Sequence, residues 1–237
     1  MSASKCFAVI GDSRGIGEAL REQLLGDGHQ VIGVSRSGVQ RAPSGANDRY
    51  QSLVFDAVQH PCDLSGFTDR LDGLVYCPGS ISLRPLRGLK REQFLKDWEI
   101  NFYGAVQTLQ ANQALLNQSE FASVVLFSTV AVATGMPYHS SIAAAKGAVE
   151  GLTRSLAAEW APKIRVNAIA PSLTDTPLAA SLLNSDAKRS AAEDRHPMKR
   201  ITSAAEVASL AVWLLDSNSS SMSGQVLALD GGISGVR

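Results

Sequence analysis

Seven short apolar runs punctuate the chain, at residues 6–10, 30–35, 52–55, 73–77, 123–128, 164–170 and 225–229. They are continuously apolar rather than alternating, which predicts strands buried on both faces, as in a parallel sheet. Between most of them lie longer stretches of helical character, at 15–25, 92–117, 140–160 and 204–215. The last opens on Thr202 and Ser203 with Glu206 following, the residues of a reciprocal helix cap. Strand and helix in repeated alternation predict an α/β fold. The specific expectation is a doubly wound (Rossmann) parallel sheet of about seven strands with helices on both faces.

Residues 36–71 carry one short strand only, and the stretch SGVQRAPSGANDRY, with Pro43 and Gly45, is a poor helix. Abbreviated crossovers are expected there rather than a domain boundary. There are no repeats, and residues 216–224 read as a polar loop. The expectation is a single domain over 1–237.

Composition narrows the function. The 237 residues are 45% hydrophobic, enough for a large core, and 22 basic residues balance 22 acidic ones. Zero net charge argues against an electrostatic nucleic-acid binder. Cys6, Cys62 and Cys77 form no CxxC pair, so neither a disulfide framework nor a zinc site is suggested and a reducing, cytoplasmic setting is expected. The four histidines make no ligand-spaced group, and no metal is expected. The apolar run at 6–10 is too short for a secretory signal, and no run reaches membrane-spanning length.

The first strand leads into VIGDSRGIGEAL, with Gly11, Gly15 and Gly17 spaced GxxxGxG. Glycines here permit a tight turn and close backbone approach to a pyrophosphate, while the helix that follows presents free N–H groups to the anion. At a first strand-to-helix junction, this predicts a dinucleotide site. The second strand ends on Ser35 and Arg36, where a binder of NAD usually carries Asp or Glu. Arg14 lies within the glycine turn. Two guanidiniums suit a 2′-phosphate, so NADP(H) is expected over NAD(H).

These motifs, taken in order, resemble the short-chain dehydrogenase/reductase family, in its compact type that includes acyl-carrier-protein ketoreductases. GDSRGIG is similar to the family's TGxxxGIG, with Ile10 in place of the usual threonine. Asp56 resembles the acid that contacts adenine, and YCPG at 76–79 stands where the family has NNAG, keeping only Gly79. Asn101 matches the active-site asparagine. APSLTDTP at 170–177 resembles the segment that passes the nicotinamide, with Ser172 for the usual glycine. The resemblance implies cofactor contacts from Gly11, Ser13, Arg14, Gly15, Ile16, Gly17, Ser35, Arg36, Asp56, Gly79, Lys146, Pro171, Leu173 and Thr176. It also implies hydride transfer between a nicotinamide and a small carbonyl or alcohol, a substrate lid at about 173–200, and a homodimer or homotetramer. Within that lid, His196 is expected at the surface.

In the family a tyrosine four residues before the lysine gives or takes the proton, and a serine about thirteen before the tyrosine binds the substrate oxygen. Here Lys146 is present, Thr129 takes the serine's place, and Ile142 stands where the tyrosine belongs. Isoleucine has no titratable proton, and general acid–base help is worth about 10²–10⁴-fold in rate, so an unchanged mechanism is excluded. Tyr138 and His139 are the candidate replacements. If the helix at 140–160 extended back to it, Tyr138 would lie about 6 Å along the axis from position 142 and on the same face. The alternatives left open are an oxidoreductase with a non-standard proton donor, using Asn101, Thr129, Lys146 and Tyr138, and a catalytically silent NADP(H)-binding protein.

Overall fold

A computed structural model describes residues 4–39 and 48–236. The main sheet has seven strands: β1 (Cys6–Ile10), β2 (Gln30–Ser35), β3 (Tyr50–Val54), β4 (Gly73–Tyr76), β5 (Ala122–Phe127), β6 (Ile164–Pro171) and β9 (Val226–Leu229). Their order is β3-β2-β1-β4-β5-β6-β9, with every pairing parallel. Two further strands, β7 (Thr174–Asp175) and β8 (Thr202–Ser203), pair as a separate ribbon. The helices are α1 (Gly15–Gly26), α2 (Arg91–Trp98), α3 (Gly104–Leu116), α4 (Ala131–Thr134), α5 (Ser140–Trp160), α6 (Asp186–Arg195) and α7 (Ala204–Leu215).

The strand alternation divides the core into two layers. Ala8, Ile10, Leu74, Val124, Leu126 and Val166 point to one face and pack with Leu109, Leu116, Val149 and Trp160 of α3 and α5. Phe7, Val9, Val75, Val125 and Ile169 point to the other face and pack with Leu20, Leu24, Val207 and Leu214 of α1 and α7. Side chains two apart share a face, so a strand apolar at every position serves both layers. This is the doubly wound architecture that the unbroken apolar runs predict.

One feature differs from the sequence pattern. The expected helix over 92–117 is divided by a π-helical segment, Glu99–Tyr103, between α2 and α3. The wider turn leaves the Ile100 carbonyl to accept from the Tyr76 hydroxyl at 3.0 Å, and Gly104 has no Cβ to collide with that phenol. The polar segment after Thr176 forms a 3₁₀ turn and α6, capped by the Ser185 hydroxyl accepting from Lys188 N. Between β3 and β4 no helix occurs, as expected, while residues 40–47 of the Pro43 stretch lie outside the described residues.

Candidate active site

The sheet order reverses between β1 and β4, and the crevice at their carboxyl ends is where such sheets bind ligands. The glycine turn occupies that crevice. Gly11 has φ +85 and packs against Pro78 and Cys77 beyond β4, and Gly15 has φ +61. A Cβ on Gly17 would collide with the Gly11 carbonyl oxygen, so the turn closes this tightly only with glycine there. Arg14 is the N-cap of α1 and makes no side-chain capping bond, leaving first-turn N–H groups available to an anion. Thr176 and Pro177 come up to Gly15 from the other side, 3.5–3.6 Å from where its Cβ would be.

The flanking residues suit a dinucleotide. The Ser35 hydroxyl, at the end of β2, is buried with no hydrogen-bond partner, and Arg14 and Arg36 are exposed. Asp56 uses one oxygen to accept from Val58 N at 3.0 Å. Ser13 and Ile16 are half-buried in the turn, and Pro171 ends β6 against Leu229. Leu173 packs on the small apolar cluster beneath α6. The open helix terminus, the orphaned Ser35 hydroxyl and the close approach of Thr176 to Gly15 fit a phosphate-bearing nucleotide.

The strand β5 and the helix α5 carry the next group of candidate residues. Lys146 is buried, and its ammonium donates to the Phe127 carbonyl at 2.7 Å. Burial pulls its pKa down to about 8, partly opposed by the neighbouring Cys77 thiol, whose own pKa burial pushes up. One turn before Lys146, Ile142 is buried at 5% exposure. Thr129 is half-buried just before α4, its hydroxyl accepting weakly from Ala131 N at 3.4 Å. Ser128 is turned away and donates to Glu150 at 2.7 Å.

The condition for the helical offset from Tyr138 to position 142 is not met. Helix α5 starts at Ser140 with His139 as N-cap, and Tyr138 has φ +69, outside the helix. The residue is 59% exposed, and its carbonyl accepts from Arg84 N at 3.1 Å. The physical cause is the turn through Gly135 (φ +66) and Pro137, which breaks helical continuity. The Nδ1 of His139 lies 2.7 Å from the Pro137 carbonyl, so it is satisfied locally. His196, expected at the surface, is 2% exposed. Its Nδ1 meets the Ala192 carbonyl at 2.7 Å and its Nε2 the Ser172 hydroxyl at 2.9 Å. The Ser172 hydroxyl supplies the partner that lets the imidazole be buried.

Sequence reasoning missed a polar network around Asn101. Asn101 is buried in the π-helical segment and donates to the Ser80 hydroxyl at 2.7 Å and the Asp97 carbonyl at 2.8 Å, while its own oxygen accepts from Ser80 N at 3.2 Å. Ser80 in turn donates to the Asp97 carboxylate at 2.6 Å, and Ser82 does so at 3.0 Å. Asp97 is 1% exposed, and its second oxygen has no partner. The available signal was an acid four residues before Asn101, on one helical face. Gly79 lies between this network and Leu178: a Cβ there would sit 3.4 Å from Asn101 Oδ1 and 3.9 Å from Leu178.

A glycine turn opening a helix at the switch point of a doubly wound parallel sheet defines a dinucleotide-binding α/β protein. The family described as enoyl-(acyl carrier protein) reductase matches residues 10–234. A tropinone reductase homolog of Arabidopsis thaliana is 33% identical, over 95% of this chain and 91% of its own length. One from Datura stramonium is 31% identical, over 94% and 90%. The ligand-free aldohexose dehydrogenase of Thermoplasma acidophilum superposes with a TM-score of 0.84 at 28% identity, covering 98% of this chain and 94% of that one. A variant of ElxO with NADPH bound superposes at 0.86 with 25% identity, covering 98% and 99%. The chain belongs to the short-chain dehydrogenase/reductase family. Among the described residues no group of His, Cys, Asp and Glu is arranged to hold a metal, and no helix is long and apolar enough to cross a membrane.

Proposed function

We propose that the protein is an NADP(H)-dependent oxidoreductase that moves a hydride between the nicotinamide and a small carbonyl or alcohol, with its proton handled elsewhere than at residue 142. The observation that carries this reading is the open N-terminus of α1 behind the Gly11–Gly17 turn, faced by Thr176 and Pro177. Gly11, Ser13, Gly15, Ile16 and Gly17 would hold the pyrophosphate. Arg14, Ser35 and Arg36 would hold the 2′-phosphate, and Asp56 the adenine. Gly79, Lys146, Pro171, Leu173 and Thr176 would frame the nicotinamide and its ribose. The bound cofactor supplies the two-electron transfer.

The remaining steps fall to side chains. The Thr129 hydroxyl donates to the substrate oxygen. Lys146, with a pKa near 8, is poised to exchange a proton near neutrality, and Asn101 fixes the loop beside it. Exposure of Tyr138 favours Lys146 or solvent over that phenol as proton source. Residues 173–200 act as the cover, supported by the approach of Leu178 to Gly79. The unit is taken as one domain over 1–237, cytoplasmic, and assembled as a homodimer or homotetramer.

Titration with NADPH and NADH, followed by a carbonyl panel, tests this. Tighter NADPH binding with turnover supports it; cofactor binding without any turnover sinks the catalytic part. The second reading, a silent NADP(H)-binding protein, is favoured by one observation, the buried apolar side chain at 142. It fails if the wild-type protein reduces any carbonyl.

A further inference from the structure

We propose that the acceptor best suited to this site is a preformed cationic iminium, C=N⁺, rather than a neutral carbonyl. The inference rests on the reading above that the chain binds a reduced nicotinamide, and it concerns the substrate class of that same site.

The first observation is chemical. Hydride addition to a carbonyl makes an alkoxide that must be protonated, and the position that would do so holds the buried Ile142. The candidate replacements are displaced or engaged: Tyr138 lies outside α5, His139 Nδ1 is satisfied by Pro137, and the Lys146 ammonium, the remaining proton source, is held by the Phe127 carbonyl. An iminium removes the requirement. The hydride forms a C–H bond at the iminium carbon, the C=N π pair becomes a nitrogen lone pair, and the cation becomes a neutral amine. The nicotinamide is oxidised by two electrons, and no proton is consumed.

The second observation is electrostatic and independent of the first. Asp97 is 1% exposed, and one of its oxygens has no partner. Among the described residues no Lys, Arg or His forms an ion pair with it. Buried carboxylates are normally paired, because an isolated charge away from water is costly. Here the carboxylate is held by the half-buried Ser80 and Ser82 hydroxyls, and Ser80 bonds Asn101 directly. A cation seated beside Asn101 would meet that negative charge through those hydroxyls, against the opposing charge of the buried Lys146 ammonium. Asp97 is thus assigned as a specificity-determining residue.

The test compares N-methyldihydroisoquinolinium, a permanent iminium, with α-tetralone, a neutral ketone of similar size. Calorimetry on the purified protein, with and without NADP⁺, reads binding; single-turnover oxidation of NADPH reads reaction. The iminium is expected to bind about tenfold tighter than the ketone, and Asp97→Asn, which retains the shape and an acceptor for Ser80, to remove that preference. The iminium is also expected to be reduced faster, and Ile142→Tyr to speed ketone reduction only. Equal binding of the two probes by the wild-type protein, an unchanged preference in Asp97→Asn, or faster reduction of the ketone overturns the proposal. NADPH that fails to bind overturns the oxidoreductase reading instead, and the calorimetric preference still judges the role of Asp97.

Discussion

The ammonium of Lys146 lies 2.7 Å from the carbonyl oxygen of Phe127, at the end of β5 and two residues before Thr129. That contact draws the lysine toward the strand end, one helical turn beyond Ile142. Among the buried residues of α5, this cation thus follows an apolar side chain by one turn, with no phenol between them.

Placing a phenol at that position gives the first expectation. Ile142→Tyr places a titratable hydroxyl one turn from Lys146 and should raise carbonyl reduction by about 10²-fold or more, the lower range of acid–base help. The larger ring costs about 1–3 kcal/mol of stability through overpacking. Steady-state rates on a carbonyl panel and a urea melt check both; an unchanged rate in a folded variant would show that the loss at 142 is not what limits turnover.

The buried lysine also affects stability. Its pKa is 10.5 when unperturbed and about 8 in the folded chain, because burial disfavours the ammonium. Between those pH values the unfolded chain holds a proton that the folded chain has released, so stability rises with pH from about 8 toward 10. Below pH 8 the full penalty is present. Lys146→Met should therefore stabilise the protein at pH 7 by about 1–3 kcal/mol, allowing for the lost bond to Phe127. Urea midpoints at pH 7 and pH 10 measure this, and the gain should shrink at the higher pH.

Cofactor choice is expected to depend on the two exposed guanidiniums. Arg14→Ala and Arg36→Ala should each weaken NADPH binding about tenfold or more, the value of a charge-assisted hydrogen bond, while leaving NADH affinity nearly unchanged. Fluorescence titration with both nucleotides distinguishes this from general damage to the turn, which would weaken both.

Beneath the same turn, Tyr50 donates to Asp12 at 2.5 Å, and Arg21 donates to the Asp12 carbonyl at 2.6 Å. Asp12 is fully buried, and its other carboxylate oxygen has no partner. Burial and the Asp12 bond push the Tyr50 pKa up to about 12, so the phenol remains a donor throughout the physiological range. Tyr50→Phe leaves the carboxylate without that donor and should cost about 1–3 kcal/mol. A denaturant midpoint that does not move would mean that Arg21 alone satisfies Asp12.

The fold was legible because unbroken apolar runs and intervening helical stretches report local burial, and local burial is what a doubly wound sheet imposes on every central strand. The glycine turn was legible because its spacing is a backbone requirement carried by adjacent residues. The isoleucine one turn before Lys146 was equally visible, since both lie on the same helix. The sequence by itself did not place Tyr138, because one turn through Gly135 and Pro137 ends the helical continuity that would have set its direction. Nor did it show that His196 is buried, since its partner Ser172 is 24 residues away. The Asp97–Ser80–Asn101 network was hidden for the same reason: Ser80 meets the helical pair from 17 and 21 residues away, across the loop after β4. Periodicity encodes which face of an element is apolar. Which polar groups meet across loops is decided only when the chain closes on itself and each buried donor or acceptor must find a partner.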